Sequence, residues 1–378
     1  MNIVLVTEFF PESSDCETRG GVEARTFFIA KYLAKNNKVC VIANREKGIH
    51  NGVTTINGVM VKRVGLAVTY SQSKNLIGRL IYFFSVIFVR LPFKPDLVDA
   101  QAIVSYVPGY ILALRNRVKK VVTLHDSWIG GGWYKLFGFL GIVGEIYERF
   151  FLSLAWNGII ANSSTTLAKL PPHTQKRKHT VVYNGFDKNE FLPFLSSIQE
   201  KPRSICYVGR LVAYKNVNNL LAALSRLQLD FTCHIIGSGP HEEKLKTQAE
   251  SLGLQNRVIF HGYLKEKSEV LRILSQVKVF TLPSAVEGFG IVTIEAAVLQ
   301  KPYVNSDIPA TKEITKNGLG GLLFEVNNIR QYADALTELL TDEKLYSQKK
   351  HELSNLVHDY EWQDKANETM HFYKSICT

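Results

Sequence analysis

Short β-branched runs alternate with helix-length amphipathic stretches along the whole 378-residue chain. This alternation is typical of β-α-β units around parallel sheets, so the sequence predicts an α/β fold. A chain of this length usually forms two domains, and the pattern runs through both halves of the sequence. The predicted strands are 2–7, 38–43, 96–100, 119–124, 157–161 and 180–183 in the first half, and 204–208, 232–236, 257–260, 278–283, 302–305 and 321–324 in the second.

Two segments depart from the alternation. Asn57-Gly58 lies between alternating residues of 53–64, and this pair is the strongest short signal for a β-hairpin. Residues 188–203 contain two prolines and show no clear periodicity, so we predict a linker there. The predicted domains are 1–187 and 204–360, followed by a last helix with an apolar face at 361–378.

Charge and cysteine content limit the class of protein. The net charge of +11, from 45 basic and 34 acidic residues, attracts anions. It does not distinguish nucleic acid, phosphorylated metabolites and lipid headgroups. Cys40, Cys206 and Cys233 lie in apolar β-like runs, which is typical of buried thiols in a reducing compartment. The sequence starts in a strand pattern without a secretory signal, and its longest apolar run, 80–89, is too short to span a bilayer. We therefore expect a cytoplasmic protein.

Candidate functional residues follow predicted strands, where two-sheet α/β proteins bind ligands, and we expect the site in a cleft between the domains. Gly20-Gly21 opens a helix after the first strand. Its free amides can approach a phosphate closely, although a plain turn has the same sequence. His125 follows the strand 119–124, where it can hydrogen-bond a sugar hydroxyl or a reacting oxygen; a structural histidine is the alternative.

Two further motifs follow strands in the second half. Arg210 and Lys215 flank a strand-to-helix turn, where they can converge on a diphosphate or remain two solvated cations. Glu287 and Glu295 bracket two glycines that suit a tight turn at the start of a helix. Helical rise would separate the two carboxylates by up to ~12 Å, roughly the reach from a hexose across a diphosphate to a ribose. The alternative is a pair of ordinary helix carboxylates.

Together these motifs resemble retaining glycosyltransferases of family 4 over nearly the full length. The resemblance implies the GT-B architecture, in which two Rossmann-like, doubly wound parallel-sheet domains face a central cleft and the last helix crosses back to the N-terminal domain. It makes 1–187 the acceptor side and 204–360 the nucleotide-sugar donor side. The motifs are Gly20-Gly21-Val22-Glu23, His125-Asp126, Asn162-Ser163, Asn184-Gly185-Phe186-Asp187, Gly209-Arg210 with Lys215, Gly237-Ser238-Gly239-Pro240, and the pair Glu287 and Glu295.

The resemblance also implies a role for each candidate residue. The donor is a UDP- or GDP-sugar used as a substrate, with no cofactor and no metal, because cations and helix dipoles neutralise the diphosphate. Gln300 departs from the family pattern, which commonly has glycine before Lys-Pro. The implied catalytic residues are His125, beside the transferred sugar, and Glu287, on the donor sugar; the implied donor-binding residues are Gly21, Arg210 and Lys215 for phosphate, Gly288, Phe289 and Gly290 for the sugar, and Glu295 for the ribose.

We therefore predict an enzyme that transfers a sugar from a nucleotide donor to an acceptor hydroxyl with retention of anomeric configuration. A nucleotide-sugar epimerase or a phosphorolytic enzyme is the alternative, since one fold supports several reactions. A catalytically silent sugar-binding module is a third reading, and the intact set of charged motif residues argues against it. Nucleic-acid binding is not expected, because the basic stretch 176–178 lacks interleaved aromatic residues.

The acceptor is suggested by two apolar, aromatic segments of the first half, 76–91 and 133–154. Arg79 and Arg90 are spaced about three helical turns apart, which predicts a basic stripe on an apolar helix. Such a helix suits an anionic membrane surface, although a buried core helix has the same pattern. We expect a peripheral enzyme on the inner face of the membrane with a lipid-linked or polyprenyl-phosphate acceptor; a soluble acceptor is the alternative.

Overall fold

The structure of the protein, a computed structural model, describes residues 1–13, 20–48, 52–68, 76–130, 132–195 and 199–378. Contacts between Cα atoms divide the chain into two compact units. The first unit contains Met1–Asn184 and Trp362–Thr378, and the second contains Gly185–Glu361. Each unit has its own sheet, so the alternation seen in the sequence produces two α/β structures.

A mostly parallel sheet forms the centre of the first unit. Its central strands are apolar along nearly their whole length, because helices cover both faces of a parallel sheet. Its strands are β1 (Asn2–Val6), β2 (Lys38–Glu46), β3 (Val53–Ile56), β4 (Val59–Val68), β5 (Leu97–Ala100), β6 (Lys119–Leu124), β7 (Gly158–Ala161) and β8 (His179–Val181). Across the sheet they are ordered β3-β4-β2-β1-β5-β6-β7-β8, which confirms the predicted strands to within a few residues.

The predicted hairpin is confirmed at one edge of this sheet. β3 and β4 are antiparallel, whereas the other neighbouring strands pair in parallel. Asn57 and Gly58 join the two strands with φ angles of 49° and 79°. Both residues are therefore in the left-handed region, which Asn and Gly adopt most readily and which matches the twist of the flanking strands.

Helices of the first unit pack through two clusters of buried side chains. Tyr82 and Leu112, from two of these helices, share one cluster. Phe83, beside Tyr82, packs against a second cluster that contains Tyr106 and Phe151. The helices are α1 (Gly21–Leu33), α2 (Leu76–Phe88), α3 (Ile103–Asn116), α4 (Gly132–Phe137), α5 (Gly141–Ser153), α6 (Ser164–Ala168) and α7 (Pro172–Gln175), with a 3₁₀ turn at Gly138–Leu140. Helices α2, α3 and α5 therefore belong to one packed layer.

The second unit has a fully parallel sheet. Its strands are β9 (Ser204–Val208), β10 (Thr232–Ile236), β11 (Val258–Gly262), β12 (Val279–Leu282), β13 (Tyr303–Ser306) and β14 (Gly321–Phe324), in the order β11-β10-β9-β12-β13-β14. Its helices are α8 (Lys188–Leu195), α9 (Val217–Leu224), α10 (Glu242–Ser251), α11 (Lys267–Gln276), α12 (Ile291–Val298), α13 (Pro309–Ile314), α14 (Ile329–Thr341) and α15 (Glu343–Val357), with 3₁₀ turns at Ala213–Lys215 and His358–Tyr360. Cys206 and Cys233 in this sheet, and Cys40 in the first, are buried free thiols as predicted.

Residues 188–203, predicted to be a linker, include helix α8. Phe191 on this helix is fully buried and packs edge-on against Phe186 with ring centroids 5.7 Å apart. Glu190 on the same helix accepts a hydrogen bond from Lys267. The apolar contact and the ion pair attach α8 to the second unit, and neither contact is visible in a local search for periodicity.

The last helix, α16 (Trp362–Cys377), packs on the first unit, which confirms the prediction that it crosses back. The Trp362 ring is stacked on Phe28 of α1, with centroids 5.6 Å apart and planes 12° apart. Tyr373 Oη donates a hydrogen bond to Asp99 Oδ2 at 2.5 Å. Burial raises the pKa of Asp99 to about 6, while the Tyr373 hydroxyl opposes that rise.

The predicted basic stripe on α2 is wrong. The helix ends at Phe88, so Arg90 lies beyond it. Arg79 Nε donates to Glu8 Oε1 at 2.7 Å, which directs this side chain toward the end of β1. A carboxylate distant in sequence thus holds Arg79 away from the solvent-facing side of the helix. Within the described ranges, no helix is long and apolar enough to cross a bilayer.

Gln300 sits in a strained turn, and replacing it by glycine is expected to stabilise the protein. Its φ angle is 58°, a left-handed conformation that costs a residue with a Cβ about 1 kcal/mol. We expect Gln300→Gly to raise the free energy of unfolding by about 0.5 kcal/mol, after the higher entropy of glycine in the unfolded chain is subtracted. Urea denaturation measures this change. The control, Gln248→Gly inside helix α10, should instead lower the free energy of unfolding by about 1 kcal/mol or more, because glycine is unfavourable in a helix and the hydrogen bond from Gln248 Nε2 to the Asn218 carbonyl oxygen is lost. Equal effects at the two positions would contradict the strain argument.

Candidate functional site

A charged cluster lies at the carboxyl end of β12 in the second unit. Lys215 Nζ and Ser284 Oγ both donate to Glu287 Oε1, at 2.5 Å and 2.6 Å. The Ala285 amide donates to the carbonyl of Tyr214 at 2.8 Å, so the segments that follow β9 and β12 are joined by backbone as well. In the part of the chain that the structure describes, Glu287 Oε2 makes no hydrogen bond. The structure therefore pairs two residues that the sequence predicted separately, and leaves one carboxylate oxygen for a ligand.

Glycines after β10 let a second loop approach the Arg210 segment closely. A Cβ on Gly237 would lie 2.0 Å from the carbonyl oxygen of Gly209, and one on Gly239 would lie 2.3 Å from that of Leu211. The Leu211 amide donates to the carbonyl of Ser238 at 3.0 Å. This packing supports the turn that carries Arg210, whose side chain is exposed. Close packing of the two loops therefore explains why positions 237 and 239 are glycines.

The turn before helix α12 has a left-handed residue, as the two glycines predicted. Gly290 caps the helix with a φ angle of 84°, and α12 begins at the next residue. Glu287 therefore precedes the helix, and the spacing estimated from helical rise does not apply to the two glutamates. The Phe289 ring is buried against Tyr360, with centroids 6.1 Å apart, so the role predicted for Phe289 falls to its backbone rather than to its side chain. Gly288 is half-buried in the same turn.

Glu295 lies on α12 in a second ionic cluster. Lys267 Nζ lies 3.0 Å from Glu295 Oε1 and 2.9 Å from Glu190 Oε2. The side chains of Lys267, Glu190 and Glu295 are 22%, 21% and 12% exposed, so the cluster is largely shielded from water. Burial raises the pKa of Glu190, and the positive charge of Lys267 opposes this rise. Among the described residues, none makes a hydrogen bond to Glu295 Oε2.

His125 directly follows β6 in the first unit and has an unpaired ring nitrogen. Its Nε2 atom is buried and has no hydrogen-bond partner among the described residues. Burial, followed by the charge of Arg25, lowers the pKa of His125 to about 3, so the ring is neutral at ordinary pH. Asn162 Nδ2 donates to the His125 carbonyl oxygen at 2.6 Å and holds the backbone at the strand end. A buried, neutral, unpaired nitrogen is suited to hydrogen-bond a ligand.

The neutral state of His125 should make the protein less stable in mild acid. An unfolded imidazole takes up a proton below about pH 6.5, whereas the folded one does not until about pH 3, so stability falls as the pH drops through that range. Between pH 7.5 and pH 5 the contribution of His125 to this loss should be about 2 kcal/mol, while protonation of Asp99, whose raised pKa acts in the opposite direction, offsets part of it in the wild type. Urea denaturation of the wild type and of His125→Asn at both pH values measures it. The variant should lack this part of the pH dependence, and an unchanged pH dependence would contradict the buried neutral state.

Helix α1 begins at Gly21, at the edge where β1 ends. Gly21 is exposed, and a Cβ placed there would meet nothing within 4 Å. Residues 14–19 before it lie outside the described part of the chain. Arg25 on the same helix is buried and donates from Nη1 to the carbonyl oxygen of Val182 at 2.7 Å and to Asn184 Oδ1 at 2.9 Å. The asparagine of the motif at 184–187 therefore binds a buried arginine.

The loop after His125 is held by a buried carboxylate on α5. Glu148 Oε1 accepts a hydrogen bond from Ser127 Oγ at 2.7 Å, and Oε2 accepts one from Trp133 Nε1 at 2.5 Å. Burial raises the pKa of Glu148, and the bonds from Ser127 and Trp133 oppose the rise. Glu148 was not among the predicted site residues, because its partners meet it only when α5 folds back on the loop.

Two helical segments of the first unit expose an unusual number of large apolar side chains, which we call the apolar face. Single exposed hydrophobic residues are common on soluble proteins, whereas several at helical spacing on one helix, such as Leu76, Leu80 and Phe84, mark an interaction surface. Their exposed fractions range from 44% to 79%. The members are Leu76, Ile77, Leu80, Phe84 and Phe88 on α2, and Tyr134, Phe139, Leu140, Ile142, Val143, Ile146 and Phe150 from α4 to α5.

Sequence reasoning missed Ser284 and Lys267. Ser284 is fully buried two positions after the end of β12 and three positions before Glu287, so a search for hydroxyls near strand ends would have found it. No local signal points to Lys267, because its two carboxylate partners come from distant parts of the chain. The structure brings Lys215, Ser284 and Glu287 together and places Glu295 with Lys267 instead.

Comparisons with known proteins identify relatives along both units. Residues 188–355 match the family model of glycosyl transferases group 1, and residues 19–190 match that of glycosyltransferase family 4. Glycogen synthase of Mycobacterium tuberculosis is 31% identical over 291 residues, which cover 74% of this chain and 69% of that protein.

Solved structures share the fold at low sequence identity. Sucrose-phosphate synthase from Thermosynechococcus elongatus has a TM-score of 0.82 and 18% identity, covering 99% of this chain and 98% of that one. HepE from Anabaena, solved in complex with UDP-glucose, has a TM-score of 0.76 and 18% identity over 99% of this chain and 100% of that one. Together with the two α/β sheets of this chain, these likenesses confirm the predicted GT-B fold class.

Proposed function

The chain belongs to glycosyltransferase family 4, and we propose that it transfers a sugar from a nucleotide-sugar donor to an acceptor hydroxyl with retention of anomeric configuration. The observation that carries this proposal is the cluster of Lys215, Ser284 and Glu287 beside the start of helix α12. It places a cation, a carboxylate and the amino end of a helix at one strand end. A sugar diphosphate needs these groups.

We assign the diphosphate to Lys215 and Arg210. Breaking the bond between the sugar and the diphosphate leaves negative charge on the phosphate oxygens, and fixed positive groups stabilise that charge without rearranging. Glu287 accepts a hydrogen bond from Lys215 through Oε1 and can accept one from a sugar hydroxyl through Oε2. The amides of Gly288, Phe289 and Gly290 lie before α12, where the helix dipole favours an anion.

The remaining assignments follow the same logic. Glu295 Oε2 accepts from the ribose hydroxyls, and Gly21 contributes a backbone amide to phosphate at the start of α1. His125 hydrogen-bonds the transferred sugar through Nε2, as a neutral ring rather than a cation. We propose UDP as the nucleotide, which the UDP-glucose bound to HepE of Anabaena supports, with GDP as the alternative.

We propose a lipid-linked acceptor, such as a sugar on a polyprenyl phosphate, used at an anionic membrane surface. The apolar face supports this, since exposed apolar helices of a basic protein suit the headgroup region of such a surface. The loop after His125 is bound to α5 through Glu148, so the helix that carries part of the apolar face also holds the acceptor-side loop. A soluble acceptor is the second candidate, favoured by the relative named glycogen synthase.

Donor screening tests the reaction directly. The protein is incubated with a panel of UDP- and GDP-sugars, and release of the nucleoside diphosphate is measured with and without a polyprenyl-phosphate glycan. We expect release from one nucleotide class that increases with acceptor, and a product whose anomeric configuration, determined by NMR, matches the donor. An altered nucleotide sugar formed without acceptor would instead indicate an epimerase.

Transfer is expected to continue in excess EDTA. The positive charges of Lys215 and Arg210 and the dipole of α12 take the place of a divalent ion on the diphosphate in this proposal. Initial rates with and without chelator should agree within about twofold, since no transition-state stabilisation is removed. Loss of activity with EDTA that magnesium or manganese restores would show that these groups do not neutralise the leaving group.

A further inference from the structure

We infer that Lys267 is a positioning residue for nucleotide binding, which keeps the Glu295 carboxylate oriented for the ribose while Glu190 holds Lys267. This inference rests on the proposed function, which assigns Glu295 to the ribose. It adds two residues that the motifs of the sequence do not contain, one on α11 and one on α8.

The contacts support this arrangement. Lys267 Nζ is within 3.0 Å of oxygens on both Glu190 and Glu295, so a single ammonium group pairs with two carboxylates. The contact with Glu295 occupies the Oε1 atom of that carboxylate. In the described part of the chain, Oε2 makes no hydrogen bond and is left to accept from a ribose hydroxyl. Lys267 Nζ also lies 5.7 Å from the ring centroid of Phe191, which helps to hold the ammonium group in place.

Removing the ammonium group would leave two shielded carboxylates next to each other. Like charges this close cannot both stay ionised without cost, so one takes up a proton or the side chains move apart. In both cases Glu295 loses the cation that orients its Oε1 atom, so the direction of the carboxylate changes. The structure thus predicts that Lys267 acts on nucleotide affinity through Glu295, without touching the nucleotide.

Calorimetric titration of the full chain with UDP and with 2′,3′-dideoxy-UDP tests this. The wild type should bind UDP about tenfold or more tightly than the analogue, because the ribose hydroxyls bond to a charged group. Lys267→Met should remove most of this preference while leaving the affinity for the analogue unchanged. Lys267→Arg, which keeps a cation that can reach both carboxylates, should retain it. A general folding defect would instead weaken the binding of UDP and of the analogue to the same extent.

Two further variants separate the possible failures. Lys246→Met is the matched control, since Lys246 Nζ also bridges two carboxylates, 3.0 Å from Glu242 and from Glu243 on its own helix α10. It should keep the ribose preference. If Glu295→Gln removes the preference and Lys267→Met does not, the inference on Lys267 is overturned and the proposed function stands. If Glu295→Gln leaves the preference intact, or the wild type binds neither UDP nor GDP, the assignment of Glu295 fails and the inference fails with it.

Discussion

Lys215→Ala and Glu287→Ala should each reduce sugar transfer by a hundredfold or more while the protein stays folded. Lys215 is proposed to stabilise the diphosphate leaving group, and Glu287 orients Lys215 and the sugar. Loss of such a contact costs about 3 kcal/mol of transition-state stabilisation, which corresponds to roughly a hundredfold in rate. Their side chains are 16% and 9% exposed and lie at the end of a strand rather than in the apolar core, so both variants should fold. Initial rates with the identified donor measure the effect, and circular dichroism checks the fold.

A surface ion pair of the same unit provides the control. Lys312 Nζ lies 2.9 Å from Asp307 Oδ1, and the two side chains are 49% and 36% exposed. Exposed pairs of this kind contribute little, so Lys312→Ala should change neither the rate nor the stability appreciably. Ser284→Ala should have an intermediate effect, because it removes one of the two hydrogen bonds to Glu287 Oε1. Near wild-type turnover in Lys215→Ala would overturn the site assignment.

Val143→Glu combined with Ile146→Glu should reduce binding to anionic vesicles by about a hundredfold. Both side chains belong to the apolar face on α5 and are 69% and 62% exposed. Insertion of one such side chain into an apolar environment stabilises binding by about 1.5–3 kcal/mol, and a carboxylate in its place is repelled by anionic lipid. Flotation with vesicles containing phosphatidylglycerol at low salt measures the binding. Hydrolysis of the donor in solution should not change.

Ile259→Glu is the matched control for that experiment. Ile259 is 43% exposed but lies on β11 in the second unit, outside the apolar face. This variant should float with the vesicles as the wild type does, and binding of both should weaken as salt screens the +11 net charge. If the wild type stays unbound at low salt, or the α5 variant binds as strongly as the wild type, the membrane part of the proposal is wrong.

The local pattern of the chain predicted most of the fold. Strands such as β6 and β9 were predicted to the residue, because a buried strand of a parallel sheet is apolar on both faces and appears as a continuous run. Asn57-Gly58 predicted its hairpin because the left-handed turn depends on those two residues alone. Gly290 predicted its turn for the same reason.

The candidate site was predicted in part. Lys215 and Glu287 were both expected there, since residues that follow parallel strands lie along the same edge of a sheet. Their direct pairing was not expected, and neither was the contact of Ser284 with the same oxygen. Sequence position specifies the edge on which a side chain lies, whereas the partner it reaches depends on the path of a second loop.

Only the tertiary structure decided the long-range pairs. Lys267 joins Glu190 to Glu295, and Glu8 draws Arg79 out of the predicted basic stripe. The tertiary structure also decided that α8 packs on the second unit and that one side of α2 is exposed rather than buried. Periodicity indicates which residues share a face of one helix or strand, so the sequence by itself determined the elements and their apolar faces. Which face meets another element, and which charge meets its counterpart, is settled only when distant segments fold together and their burial and ion pairing compete.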